Sequence, residues 1–304
     1  MCNLTTLNMF AFVNEDGTYD KEGMLKAQIQ SARMGYNMAS SDFELPDWDE
    51  INKRDMLVGC SLSGVQDFLN ATNISNEEYI ELLKELREVA HKEIEYMAEQ
   101  TGQNKSILVT SIKPAGTTSN LFGESPGIHL PHSPYYIRRV RVSAVDPILQ
   151  VCKELKYPIH PEVGYTEENA KQFVVEFPIK TPDGRNKYNT SAIDQLEMYK
   201  LTMKHYIDHN ISITVSVRDE EWADVEEWVY ENWDDCVALS FLSLDDSFYE
   251  LLPYETCTQE EYENRNNAMK KFRPMLIAKY ERQFYEAEAD ADSECSSSGV
   301  CPIR

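Results

Sequence analysis

Lys113, Pro114, Ala115, Gly116, Thr117, Thr118 and Ser119 bring a cation, a glycine and three hydroxyls together directly after the apolar run 107–112. Small residues let successive backbone N–H groups approach an oxyanion, and a helix opening at the far side of the turn adds the positive end of its dipole. The chemistry predicted here is the grip of a phosphate. On those residues alone a hydroxyl-rich helix cap is an equal alternative, because Ser and Thr are ordinary N-caps. The continuation favours a site. Gly123, Ser125-Pro126-Gly127 and His129 form a second constrained loop leading to Tyr135-Tyr136 and Arg138-Arg139, and long irregular stretches of this kind are uncommon unless functional. In an extended run, successive side chains alternate, so at most one of the two arginines faces the site.

Thiols are the other reactive groups. Cys295 and Cys301 stand in a tail, acidic and then serine-rich, with five residues between them. That spacing can close into a small disulfide ring, and a segment without apolar period is predicted to be flexible. Its acidic flank should raise the thiol pKa and slow attack. Cys2 opens the apolar and threonine-rich run 2–13, predicted as a strand; a lone cysteine there is more often inert than catalytic. Cys60, within the buried strand expected over 55–63, reads as a small core residue. His129 and His132 flank Pro131 without a third ligand at regular spacing, so no metal site is expected.

The elements that must position these groups follow from periodicity. A helix is expected over 23–39, and a second over 75–100 with Ser75 and Glu78 as a capping box and Gly102 past its end. His91 lies beside the apolar face of that helix and reads as a boundary residue. Strands are expected over 107–112, over 172–179 with Pro178 ending the strand, over 210–217 with strict alternation, and over 237–244 as the last strand. A helix is predicted from Ser191, and another capped by Asp219. Strand–helix–strand order implies an α/β fold with a parallel sheet, whose ligands sit beyond the carboxyl ends of the strands. Residues 113–119 fall at such an end.

Composition bounds the partners. The 29 basic against 52 acidic residues give a net charge of −23, which argues against nucleic acid and anionic membrane as partners. No apolar run approaches the roughly 20 residues of a membrane span. Seven scattered cysteines without zinc-type pairing suit a reducing, cytoplasmic setting.

KPAGTTSNLFGESPGIHLPHSPYYIRRVRV resembles the phosphate loop and following finger of the ribonucleotide reductase catalytic subunit, and more closely its adenosylcobalamin-dependent (class II) branch. CNLTTLNMFAFV resembles the family's strand carrying the second cysteine of the substrate-reducing pair, and CSSSGVCPIR its mobile redox tail. The resemblance implies the C-terminal half of a ten-stranded α/β barrel over 1–257, a helical extension over 258–288 and a redox tail over 289–304. It implies that residues 113–119 hold the phosphates of a ribonucleotide substrate. Cys2 would be one thiol of the pair oxidised when the ribose 2′-hydroxyl leaves as water, and Cys295 and Cys301 would reduce that disulfide and be reduced by thioredoxin or a similar dithiol donor. Adenosylcobalamin would start the radical chemistry, shared with an N-terminal reductase fragment. The partner thiol, the radical-bearing cysteine and the effector region precede Cys2 in the family, so the expectation is the C-terminal piece of a split reductase or one joined later, for which Cys2 would serve as a splicing nucleophile. A fragment of a class I large subunit and a non-catalytic nucleotide-binding fragment are the alternatives.

Overall fold

A computed structural model of the chain describes residues 3–244 and 250–282. Cys2, Cys295 and Cys301 lie outside them, as does the tail expected over 289–304. In chain order the elements are β1 (Asn3–Asn8), α1 (Lys21–Ala39), α2 (Pro46–Asp55), β2 (Val58–Ser63), α3 (Val65–Ala71), α4 (Asn76–Thr101), α5 (Gly116–Phe122), β3 (Tyr135–Ser143), α6 (Pro147–Glu154), β4 (Ile159–Pro161), β5 (Gln172–Lys180), α7 (Ala192–Tyr206), β6 (Ile213–Val217), α8 (Trp222–Glu231), β7 (Leu239–Ser243), β8 (Tyr254–Thr256) and α9 (Gln259–Ala268). They fall into two units, Met1–Pro134 with Thr181–Asp246, and Tyr135–Lys180 with Ser247–Arg304.

In the first unit, β1 and β2 pair in parallel from Asn3↔Val58 to Asn8↔Ser63, and β6 and β7 from Ile213↔Leu239 to Val217↔Ser243. Between the pairs lies the run 107–112, joined to both sides by the parallel bridges Cys60↔Thr110 and Ile112↔Ile211. It was expected to be a regular strand and is instead an extended run with single bridges. The cause is a side chain: Asp208 Oδ2 accepts the amides of Val109 and Thr110 at 3.0 and 3.2 Å, so those groups do not enter a ladder. Successive parallel runs interleaved with helices make this an α/β fold.

Every residue of β2 is buried, as a strand covered on both faces requires. Leu62, Ile112, Ile211, Ile213, Val215 and Val217 pack with side chains of α4, α7 and α8 in one apolar cluster. Val58, Cys60 and Val109 pack with α1 and α4 in a second. Full burial of each such side chain stabilises the fold by roughly 1.5–3 kcal/mol. Gly35 brings α1 onto β2, because a Cβ there would stand 2.5 Å from Val58 Cγ1. The capping box of Ser75 and Glu78 starts α4 and left-handed Gly102 ends it, as the sequence predicts. Ser191 caps α7, and β6 alternates buried Ile213, Val215 and Val217 with outward Thr214 and Ser216. Asp219 does not cap α8. It begins a 3-10 turn, Asp219–Glu221, in which Glu221 Oε2 accepts the amide of Arg218 at 2.9 Å.

The second unit is an antiparallel sheet in the order β4-β5-β3-β8. Contrary to expectation, β5 runs through Pro178, which pairs with Ile137 of β3. On its other side β5 meets β4 only from Phe173 to Val175. Glu176 donates its amide to Pro158 O on that flank, so two residues on, Pro178 lies where β4 offers no acceptor and a missing N–H costs nothing. The run expected over 237–244 holds β7, but among the described residues the last strand is β8: three residues, too short to carry an alternation, paired with β3 at Tyr136–Arg138. Among the described residues, no helix is long and apolar enough to cross a membrane.

Candidate functional site

The central run 107–112 ends at Lys113, and α5 opens three residues later. Ala115 supplies the turn between them in the left-handed region, φ 49° and ψ 43°, a strained choice for a residue with a Cβ. The first intrahelical bond is Ser119 N–H to Ala115 O at 2.7 Å. The amides of Gly116, Thr117 and Thr118 therefore precede the hydrogen-bonded ladder and carry the partial positive charge of the helix start. No side chain caps this end. A Cβ on Gly116 would meet nothing within 4 Å, and the hydroxyls of Thr117 and Thr118 have no partner among the described residues.

Lys113 and Ser119 are placed differently from those three. The Lys113 ammonium donates to Asn210 Oδ1, and to Ser212 Oγ at 3.4 Å, while its amide donates to Ser61 Oγ at 3.0 Å. Those acceptors are neutral. Lys113, Asn210 and Ser111 line a cavity of about 170 Å3 together with His209, Asn3 and Leu4. Ser119 is buried and turns its Oγ inward onto Gly116 O at 3.3 Å, so it shapes the helix start rather than presenting a hydroxyl. Pro114 is exposed.

The second loop is fastened beneath α5. Gly64 and Val65 donate amides to the carbonyls of Ser125 and Gly127, and Asp67 accepts the amide of Ser125. Gly127 has φ 59°, and a Cβ there would lie 3.0 Å from Lys113 O, so the loop backs directly onto the site's first residue. Glu124 was not foreseen. It is only 8% exposed, and neither carboxyl oxygen has a hydrogen-bond partner. Burial pushes its carboxyl up to about 7; Ser63 opposes the shift and nearby Asp67 adds to it. An acid in a Gly-Glu-Ser-Pro loop reads as solvent-facing, and only the threefold recurrence of constrained residues around it hinted at packing.

His129 holds the loop to β6. Its Nε2 accepts the amide of Thr214 at 3.1 Å, so Nδ1 carries the proton donated to Pro126 O at 2.8 Å; burial lowers its pKa and keeps the ring neutral. His132 packs edge-on against Tyr188, and burial beside Lys187 brings it down to about 3. Both histidines are thus engaged structurally. Cys60 is fully buried and its thiol is pushed up to about 11 by burial, the behaviour of a core residue. His91 hydrogen bonds Asp208 at 2.7 Å.

In the second unit, Arg138 and Arg139 face opposite ways on β3. Arg139 is held by Glu176 and Glu255. The Arg138 guanidinium lies 4.1 Å above the ring of Tyr254, with Nε and Nη1 buried and unpaired.

No family model matches the chain. A Dictyostelium discoideum protein named "Probable adenosylcobalamin-dependent ribonucleoside-triphosphate reductase" is 31% identical over 265 residues, covering 85% of this chain and 33% of that protein. The adenosylcobalamin-dependent ribonucleoside-triphosphate reductase of Lactobacillus leichmannii is 24% identical over 335 residues, covering 100% of this chain and 43% of its own length. A crystal structure of a B-12 dependent (class II) ribonucleotide reductase shares the fold, with TM-score 0.80 and 23% identity over 91% of this chain and 41% of that one. The chain thus spans 33% and 43% of the length of these two relatives. Along most of its length it is homologous to one part of the adenosylcobalamin-dependent ribonucleoside-triphosphate reductases, the family its sequence resembles.

Proposed function

We propose that this chain is the C-terminal part of the catalytic subunit of an adenosylcobalamin-dependent reductase that converts ribonucleotides to 2′-deoxyribonucleotides. The observation that carries the reading is the start of α5: three amides ahead of the ladder, two unpartnered hydroxyls and an open space at Gly116, at the carboxyl end of the central parallel run. In this reading the amides of Gly116, Thr117 and Thr118 and the two threonine hydroxyls hold the substrate phosphates. Ser119, Pro114 and Ala115 set the turn, and Lys113 adds positive charge from its seat on Asn210 and Ser212. The five parallel runs of the first unit are half of a ten-stranded barrel, and an N-terminal reductase polypeptide supplies the rest.

The net reaction removes the 2′-hydroxyl as water while a dithiol becomes a disulfide, yielding two electrons and two protons. Cys2 is one thiol of that pair. Cys295 and Cys301 regenerate it by thiol–disulfide exchange, which needs an accessible thiolate, and thioredoxin or a similar dithiol donor reduces them in turn. Cavities of about 170 to 320 Å3 in the first unit are at or below the small end for an organic ligand. These residues alone do not enclose a corrin, so adenosylcobalamin belongs to the assembled enzyme and no step here is routed through it.

The test combines the chain with the reductase polypeptide of the same genome that supplies the unmatched two thirds, in the presence of adenosylcobalamin and a dithiol. Deoxyribonucleotide formation in the mixture, with none from either polypeptide alone, is the expected result. Turnover by this chain alone, or unchanged turnover when Cys2 is replaced by Ser, contradicts the reading.

A further inference from the structure

Glu124 stands where the chain ties the second loop to the site. Its amide donates to Ser119 O at 3.0 Å and closes the end of α5. Directly after it, Ser125 donates its amide to Asp67, and the carbonyls of Ser125 and Gly127 take the amides of Gly64 and Val65. Gly127 in turn donates to Ser63 Oγ at 3.3 Å and lies against Lys113 O. Bonds on both sides of Glu124 therefore hold its side chain inward. It reaches the turn after β2, where a Cβ on Gly64 would stand 2.7 Å from Glu124 Oε2.

Nothing at the end of that reach receives a charge. Asn8 and Phe10 at the end of β1 and beyond it, and Ser63 and Gly64 at the end of β2, are neutral, while Asp67 of α3 is a second carboxyl. Both oxygens of Glu124 are buried without a hydrogen-bond partner, and no lysine, arginine or histidine pairs with it among the described residues. A carboxylate in such a place is costly, whereas the neutral acid is tolerated, and burial accordingly lifts its pKa to about 7. Ionisation is relieved by turning the side chain out to water, and that movement works directly against the bonds that tie the loop to Ser119, Gly64 and Val65.

We infer that Glu124 is a positioning residue for the phosphate grip: as the neutral acid it holds the 123–127 loop against α5 and Lys113, and on ionisation it releases them, so that nucleotide binding weakens as pH rises through neutrality. The inference rests on the proposed function, whose grip it regulates. The protonated state is the binding state, so affinity is full below the folded pKa and is lost above it. By linkage, a tenfold loss of affinity on ionisation means that bound nucleotide raises the midpoint of Glu124 by about one pH unit.

The test measures CTP binding to the reconstituted enzyme without adenosylcobalamin, by equilibrium dialysis between about pH 6 and pH 8.5, for wild type and Glu124→Gln, which keeps the shape and does not ionise. The ratio of the two dissociation constants cancels the titration of CTP itself. Near pH 6 the two proteins should bind within about twofold of each other, and by pH 8.5 the wild type should bind about tenfold more weakly than the variant, inside the usual range of coupling between two sites. Glu124→Met, uncharged and of similar length, should behave as Glu124→Gln does and replaces it where the amide does not fold. A ratio that stays constant with pH overturns the inference and leaves the proposed function standing; that is the result a purely structural role gives, since it weakens binding equally at every pH. No CTP binding by the wild type at any pH overturns both.

Discussion

His91 and Arg87 of α4 both reach Asp208, His91 Nε2 at 2.7 Å from Oδ2 and Arg87 Nη2 on Oδ1, while Oδ2 also takes the amides of Val109 and Thr110. One carboxylate therefore ties the centre of the run to α4 and takes up two of its amides, while strand neighbours bond the run on either side. Burial would raise its pKa, but these donors outweigh burial and hold it well below the usual carboxylate range. Its stabilisation is present above the unfolded carboxylate pKa of about 3.9 and is lost as pH falls below that value. Asp208→Ala strands two buried amides and should lower unfolding free energy by about 2–3 kcal/mol at pH 7, read by urea denaturation. The deficit relative to wild type should shrink toward pH 3.

Glu124 has the opposite sign. Its folded pKa of about 7 lies above the unfolded value of about 4.3, so between those two pH values the unfolded chain has released a proton that the folded chain retains. Stability should therefore fall as pH rises from about 4.5 to 7, by roughly 1–3 kcal/mol from this group, and then level off. Glu124→Gln should remove that slope. Denaturant midpoints of wild type and variant at pH 5 and pH 7.5 check it, and parallel curves would contradict it.

Gly116 separates the site from the scaffold. Its side-chain position is open, so Gly116→Ala should leave stability unchanged or raise it by up to about 1 kcal/mol through helix propensity. The added methyl stands where the proposed function puts a phosphate, and KM of the reconstituted enzyme should rise roughly tenfold, the scale of one hydrogen bond to a charged group. A stable variant with unaltered KM would remove Gly116 from the grip.

In the second unit, Glu176 is 2% exposed and holds both Arg139 and Arg265. Glu176→Gln keeps the shape but leaves Arg139 buried with Glu255 as its remaining carboxylate partner. The loss should approach about 3–5 kcal/mol, as for broken buried ion pairs. Thermal unfolding of the variant should show it, and a double variant with Arg139→Met should recover part of it.

Much of the scaffold was legible because local chemistry and global packing agree. Ser75 with Glu78, Ser191 ahead of α7 and the alternation of Ile213, Val215 and Val217 each specify an element without help from distant residues. Where the reading departed from the fold, a distant group intervened. Asp208, about a hundred residues downstream, takes the amides of Val109 and Thr110 and so interrupts the ladder along 107–112; the short reach of β4 made Pro178 harmless; and β8 exists only because β3 offers it an edge. At the site, the composition of 113–119 led to α5 and its open start. It gave no sign that Ser119 turns inward or that Asn210 and Ser212 seat Lys113, because those partners are remote in sequence. Cys2, Cys295 and Cys301 lie outside the described residues, so their roles rest on the resemblance and on the reconstitution assay.

The central run takes one neighbour from residues some fifty positions earlier and the other from residues a hundred positions later, through Cys60↔Thr110 and Ile112↔Ile211. During synthesis, then, α5 and its turn must leave the ribosome long before Asn210 exists to receive Lys113. Loop closure on that scale is slow and exposes unpaired backbone meanwhile. The region at the heart of the proposed chemistry should be the last of the first unit to mature, and the part most dependent on chaperones as the chain emerges.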